Sequence, residues 1–499
     1  MQNACMRSKK MKLNEKINQY LAEGCFFGLM IVAPLYYHFG YFDMIEAKAE
    51  VFRLVIYIVF MIEIVLAVAE VVRKRKITGI ADFCALDYAM CVFAIAVFIS
   101  WLSAKNKLAA FWGNQGWSTG ALLLIGSVLC YFVISRYLPD NQNLWLPVLT
   151  VNVAIFCMVI CNGMGKDTLS LHENIRPDQW YQYMSTLGQT NAVMGYIALV
   201  FPTFAIFFIA SSQRSSAVLY SIVVVLGEMS VILCGSDGIY IAIGGCMFFL
   251  LPFVWKEKKR MIRFLEMMAA FGACIMVICK LEVFWDRLDH IEGMARFLIH
   301  MPIGEALCGG AVILAVAVIF LMEKHPKIWR AMLWGIEAGM GAGVMLVFVN
   351  TVKQYQKFEN WGSGRKYLWE YSWNLFCGFS WKDKLFGVGP DMLGSYYEDC
   401  YEYFEETFLT AHSEFLQYLL TIGMVGAVAW IGICAAIVYT YFKYRTEETL
   451  TVAYFLPLAA YFMQAMIMNP QPLTLAVVCV ILACFRRSVE KSRKNSTEK

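Results

Sequence analysis

Apolar residues run along this chain in blocks of about twenty, the length a helix needs to cross a bilayer. Short polar or basic stretches close each block. In hydrocarbon every backbone N–H and C=O must be bonded within its own segment, so blocks of this kind read as transmembrane helices. Fourteen spans follow from the pattern: 24–42, 51–69, 83–102, 119–135, 144–162, 190–210, 217–234, 239–255, 264–281, 299–322, 331–351, 413–442, 449–468 and 471–485. The expected fold is an all-α integral membrane protein of about 14 transmembrane helices (12–14).

An even count puts both termini on one side. Arg73 to Lys76, Lys256 to Arg263, Lys324 to Arg330, Lys443 to Arg445 and the tail from Arg486 all fall on that side. By the positive-inside rule the N- and C-termini are cytoplasmic. The chain then divides into a cytoplasmic segment (1–23), a polytopic bundle (24–351), an extracytoplasmic loop (352–411), C-terminal transmembrane helices (412–485) and a basic cytoplasmic tail (486–499) expected to be solvated. The expected location is the cytoplasmic (inner) membrane of a cell, as a multi-pass protein.

Composition excludes a soluble globular domain. The chain is 60% hydrophobic and 16% charged, against about 25% charged in soluble proteins. The basic start (Arg7, Lys9, Lys10, Lys12) leads into a run too long for a cleavable signal core, so the first block reads as a retained anchor. The cysteines lie mostly inside apolar blocks and lack zinc-type spacing, so no metal or cofactor is expected. Nor is a nucleic-acid partner.

Two connections on the side opposite the termini are substantial: 163–189, and 352–411. The second is far longer than an ordinary connection and should be functional and partly helical. Seventeen of its sixty residues are Phe, Trp or Tyr, against 15% over the whole chain. Such rings either stack on sugars or anchor a segment at the lipid headgroups. Leu368, Trp369, Ser372, Trp373, Leu375 and Phe376 recur at three- and four-residue steps, an amphipathic helix led by a Gly362-Ser363-Gly364 turn.

Arg365 falls in the first turn of that helix. A cation there opposes the helix dipole, so a second partner is expected: a phosphate or carboxylate clamped by two hydrogen bonds, or a headgroup or surface ion pair. Gly387 and Gly389 suit a tight turn, and Pro390 suits the first position of a helix whose free N–H groups could meet an anion. His412 closes the loop. Its ordinary pKa of about 6.5 suits proton transfer from a hydroxyl, although a lone histidine at a helix start is more often structural. The acidic run Glu398, Asp399, Glu402, Glu405 and Glu406 reads as a solvated face or lid. Asp286, Asp289 and His290 read as an exposed loop rather than a cation site.

The residues Ser363-Gly364-Arg365, Gly387-Val388-Gly389, His412-Ser413, Leu416-Gln417 and Gly423 to Gly426 resemble the O-antigen ligase and polymerase superfamily of membrane glycan-assembly proteins. "FWGNQGWSTGALL" and "MSTLGQTNAVMGYIALVFP", which enters a span through Asn191, are similar to two upstream elements of that family. The resemblance implies a glycosyltransferase that needs no nucleotide sugar. Its donor is a glycan on undecaprenyl pyrophosphate at the outer leaflet, and its acceptor a glycan, a lipid or a wall polymer. Arginines hold the pyrophosphate, the loop histidine assists the acceptor hydroxyl, and the anomeric centre is inverted. On this resemblance His412 and Arg365 are the catalytic candidates. Arg176, Asn191, Gly387, Gly389, Trp369 and Trp373 are the substrate-binding ones. A place in a polysaccharide-assembly complex and contact with membrane lipids are expected.

There are departures. Trp117 and Asp237 stand where the family usually carries arginine, and Ser413 where it carries asparagine; Arg176 is the candidate to restore a lost positive charge. Two rival readings remain at this level. One is a lipid-linked oligosaccharide flippase or polysaccharide transporter, for which Glu63, Asp87, Glu228 and Glu337 inside spans speak. The other is a non-catalytic scaffold, which would tolerate loss of His412.

Overall fold

The computed structural model describes residues 13–38, 40–72, 83–113, 117–139, 141–173, 175–284, 291, 293–358, 362, 364–397, 408–444 and 448–497. The acidic run 398–407 and the Asp286–His290 stretch lie outside the described residues. The protein is almost wholly helical, with one short antiparallel pairing of Tyr183–Met184 with Gly188–Gln189. Among the described residues nine helices are long and apolar enough to cross a membrane, and three shorter apolar helices (Ala121–Tyr137, Gly238–Val254, Thr449–Ala465) accompany them. These twelve fall on twelve of the expected spans, as a multi-pass membrane protein requires.

The other two expected spans are also helical. Span 331–351 lies within Pro326–Lys357, so the first residues assigned to the long loop continue a helix. Span 24–42 lies on a helix that begins earlier, at Leu13, includes a π-helical turn at Gly28–Val32 and stops at Leu35. It stops early because Lys48, buried on the next helix, donates to the carbonyls of Pro34 (2.9 Å) and Tyr36 (2.5 Å). Those are terminal carbonyls that have no partner within the helix.

The innermost helix is Thr190–Ile209, whose apolar window is 100% buried. Trp145 packs edge-on against Phe204 and Phe207 and donates from Nε1 to the Tyr454 hydroxyl at 3.0 Å. Thr203 donates to the carbonyl of Ala453 at 3.1 Å. Hydrogen bonds and close packing of this sort hold helices together where lipid removes the hydrophobic drive between them. The tail differs from expectation: the helix Pro472–Thr497 runs through it. Arg486 is buried there, 3.3 Å from Asp87, whose carboxylate also accepts from the Tyr131 hydroxyl. Asp87 thus has a structural partner.

At one end of the bundle three loop regions gather. Residues 163–189 are tied by Asp167, which accepts the backbone N–H groups of Leu171 and His172 and sits 3.3 Å from the His172 ring. These bonds hold the Asp167 carboxyl below its usual range. The other ring nitrogen of His172 lies 3.0 Å from the carbonyls of Trp180 and Tyr183. The second region is the Lys107–Trp112 helix and the turn after it, and the third is the long loop.

Candidate functional site

Within the long loop the expected amphipathic helix forms. Gly364, at φ +85°, leads into the helix Arg365–Gly378. Leu368, Ser372 and Phe376 face inward, while Trp373 is 53% exposed. Ser372 meets the Tyr397 hydroxyl at 2.6 Å, which pins this helix to the short 3-10 turn Leu393–Tyr396.

The Gly-x-Gly segment does something other than meet an anion. The Gly387 N–H donates to the Asp383 carbonyl (2.8 Å), Val388 N–H to Leu420 (3.1 Å) and Gly389 N–H to Thr421 (2.9 Å). The first closes the helix Trp381–Phe386, and the other two satisfy carbonyls at the end of the helix Glu414–Thr421, which its own turns leave free. A Cβ on Gly387 would lie 2.2 Å from the Thr421 carbonyl oxygen, and one on Gly423 would lie 2.3 Å from that of Leu385. Both glycines have positive φ. The motif glycines therefore form a backbone-to-backbone seam. No helix begins at Pro390 either. Asp391 follows in the left-handed region (φ 56°) and is buried.

Asp391 is a residue the sequence reading missed. Its carboxylate accepts the N–H groups of Trp117 (3.1 Å) and Thr119 (3.2 Å) and the Thr119 hydroxyl (3.1 Å). Burial pushes its pKa up to about 7 in spite of those donors. The contact carries Trp117 to the site. The only hint in the sequence is an aspartate directly after the Gly-Pro turn, a position that tolerates left-handed backbone.

His412 closes the loop with φ 47°, a sparsely populated conformation for a non-glycine residue. Two neighbours hold it there. Ser413 caps the following helix by accepting from Leu416 N–H (3.5 Å), and Gln417 accepts the Ala411 N–H at 3.0 Å. Serine is among the residue types preferred in that capping role. Glu414, buried beneath, accepts from the Tyr461 hydroxyl (2.9 Å) and Trp430 Nε1 (3.3 Å).

Arg365 and His412 line one cleft of about 590 Å³. Trp117, Gln179, Gln182, Gln189 and Thr410 share its wall. Arg365 donates from Nη1 to the Gly362 carbonyl at 3.0 Å, and its buried Nε has no hydrogen-bond partner among the described residues. Burial lowers the Arg365 pKa, and the charge of Asp237 works to hold it up. Asp237 also accepts the Met294 N–H at 2.7 Å, at the start of the helix Gly293–His300. Asp237 thus serves as a helix cap and a distant counter-charge. Burial and then the Arg365 charge depress His412 to about 4. Its imidazole is neutral at pH 7 and able to accept a proton.

The remaining sequence candidates fall elsewhere. Arg176 is exposed and 3.3 Å from Asp178. It lies outside the cleft wall, although Gln179 and Gln182 from the same loop lie in it. Asn191 is in the first turn of Thr190–Ile209, two residues past Gln189, which does line the cleft. Trp369 and Trp373 are also outside that wall. The glutamines carry no signal in a single sequence, since glutamine in a polar loop is unremarked. Gln179 and Gln182 do sit three apart in the 3-10 turn Pro177–Gln182, where such positions share a face.

Residues 306–431 match the family described as O-antigen ligase. The match covers about a quarter of the chain and includes Arg365, the glycine seam and His412, and so bears out the resemblance read from those motifs. No curated protein matches the chain.

Proposed function

We propose, from the match of residues 306–431 to the O-antigen ligase family, that this chain transfers or polymerises a glycan from an undecaprenyl-pyrophosphate-linked donor in surface-polysaccharide assembly. The cleft faces the outer side of the cytoplasmic membrane in this reading, as the distribution of basic residues suggests. The observation that carries it is the pairing of a buried guanidinium and a neutral imidazole on one polar cleft. The acceptor is a glycan, lipid or wall polymer.

In the reaction an acceptor hydroxyl attacks C1 of the donor sugar. The C1–O bond to the diphosphate breaks, the lipid diphosphate leaves with the electron pair, and the hydroxyl proton passes to His412. Arg365 meets the charge that grows on the leaving oxygen, the kind of preorganised stabilisation that is worth most in a dry site. A base depressed to about 4 is weak for this task. The diphosphate remedies part of that: burial remains the larger cause, but its negative charge beside Arg365 offsets the positive charge that adds to the depression, so donor binding raises the basicity of the ring. Gln179, Gln182 and Gln189 offer neutral amide donors and acceptors suited to sugar hydroxyls.

The test is made in cells and with purified protein. Deleting the gene should make lipid-linked repeat units accumulate and surface polymer disappear. The purified protein should release lipid diphosphate only when donor and acceptor are both present. Movement of the lipid-linked glycan across a bilayer without release of diphosphate would replace this reading with the flippase. Full complementation by His412→Ala would replace it with the scaffold.

A further inference from the structure

Away from the cleft, the bundle holds a second cavity of about 240 Å³. Its wall is apolar and rich in methionine (Met247, Met267, Met268, Met294), with Glu228 as its one acidic side chain. Glu228 is only 3% exposed, and its Oε2 has no hydrogen-bond partner among the described residues. A buried polar group left without a partner is costly, and an ionisable residue inside a membrane bundle is functional by default. The other polar group in the wall, the Tyr240 hydroxyl, already donates to the Val231 carbonyl at 3.4 Å.

The cavity has a mouth. On the helix Gly238–Val254, Ile241 and Phe248 are exposed on the face turned outward from the bundle, and Gly244 stands between them. Gly244 lines the cavity, and nothing lies within 4 Å of where its side chain would begin. A glycine in a lipid-facing stripe leaves a gap one side chain wide.

Size and chemistry narrow the occupant. A dry apolar cavity of about 150 Å³ holds one benzene ring, while drug-sized ligands take about 300–1,000 Å³. The space here suits a single unbranched chain, and methionine walls adapt to such a shape. An ammonium head would bring three N–H donors to a wall that offers one carboxyl, leaving at least one of them dry. A hydroxyl brings one donor, which a Glu228 oxygen can accept.

We propose that this cavity is a binding site for a single-chain lipid alcohol, which enters from the bilayer past Gly244 and donates its hydroxyl to Glu228. The site is independent of the glycosyl-transfer reading and stands or falls without it.

The test is photolabelling of the full-length protein in lipid nanodiscs, using a twelve-carbon alcohol with a diazirine near its far end. Labelled peptides are mapped by mass spectrometry. Label should concentrate on the Met247 and Met267–Met268 peptides, and excess 1-dodecanol should remove it. Dodecane should compete roughly 2–10-fold less well, since one hydrogen bond contributes about 0.5–1.5 kcal/mol and 1.4 kcal/mol is tenfold. Gly244→Phe should abolish the labelling by filling the mouth, and Glu228→Gln should weaken it severalfold. Label spread evenly over lipid-facing helices, or equal competition by dodecane, would overturn the proposal. So would unchanged labelling in Gly244→Phe. Stronger competition by dodecylamine than by dodecanol would overturn the alcohol in favour of a cationic ligand. The competition arms use the unmodified protein, so they decide the matter even if a variant fails to fold.

Discussion

The glycine seam and the cleft are built from neighbouring stretches of the same loop on opposite principles. In the seam, Gly387 to Gly389 and Gly423 bring backbone against backbone, and each N–H from Gly387 to Gly389 has a carbonyl partner. In the cleft, Arg365 Nε has no such partner among the described residues, and His412 is held in a strained conformation with its ring edge-on to Phe408. A region whose polar groups are all satisfied is a frame. One whose polar groups are buried and unmatched awaits a ligand. Motif residues of both kinds stand side by side in the sequence, and only the structure separates them.

Substitution in the seam should break the fold before it touches chemistry, and this is the largest effect expected. Gly423→Ala forces a side chain into left-handed backbone at about 1–2 kcal/mol. It also drives a Cβ into the Leu385 carbonyl, and overpacking of this kind costs about 1–3 kcal/mol more. The expected result is loss of folded protein, or a fall of many degrees in the thermal midpoint in detergent. A midpoint within a degree of the parent would show that the seam bears no load.

The cleft should answer in the opposite way. His412→Ala should lower transfer by about 10²–10⁴-fold and Arg365→Ala by about 10²–10³-fold, with both proteins as stable as the parent. Loss of stability equal to that of Gly423→Ala would merge the two regions. The electrostatic link between the two residues can be read directly from the rate at which diethyl pyrocarbonate modifies His412, since only neutral imidazole reacts. With the ring depressed to about 4, its neutral form persists as pH falls through 6.5. Reactivity should therefore fall away only near pH 4. Arg365→Gln removes a positive charge that disfavours imidazolium, so the limb should move upward, and a diphosphate ligand should move it the same way. A limb at 6.5 in the unaltered protein would mean that the ring is solvated.

How far the sequence reads correctly depends on the distance over which each feature is determined. Hydropathy is local, and it located the nine long and three shorter apolar helices found among the described residues. It did not tell inside from outside. Thr190–Ile209 and Ile303–Lys324 have nearly equal mean hydropathy, 2.2 and 2.4, yet their windows are 100% and 11% buried. Lipid and protein interior are alike in polarity, so an apolar residue does not report which it faces. The early stop at Leu35 depends on Lys48, and the position of Trp117 on Asp391, 274 residues away. Such contacts leave no local pattern. The pairing of Arg365 with His412 was legible through family motifs. The role of the glycines was not, because a turn that binds an anion and a turn that binds a helix end use the same residue types.

The smallest effects are expected from the glutamines, and they test whether the cleft binds sugar. If Gln179 and Gln182 hold hydroxyls equally in the bound and transition states, each alanine substitution removes one neutral hydrogen bond. That is about 0.5–1.5 kcal/mol, or roughly a 2–10-fold rise in KM, with kcat unchanged as uniform binding requires. Arg176, three residues upstream, is exposed and paired with Asp178, so Arg176→Gln should leave both constants within about twofold of the parent, as surface substitutions usually do. The contrast is sharp because all three side chains lie on one short stretch. A larger loss from Arg176→Gln than from either glutamine would mean that the loop turns its other face to the donor, and that the cleft is closed by a cation after all.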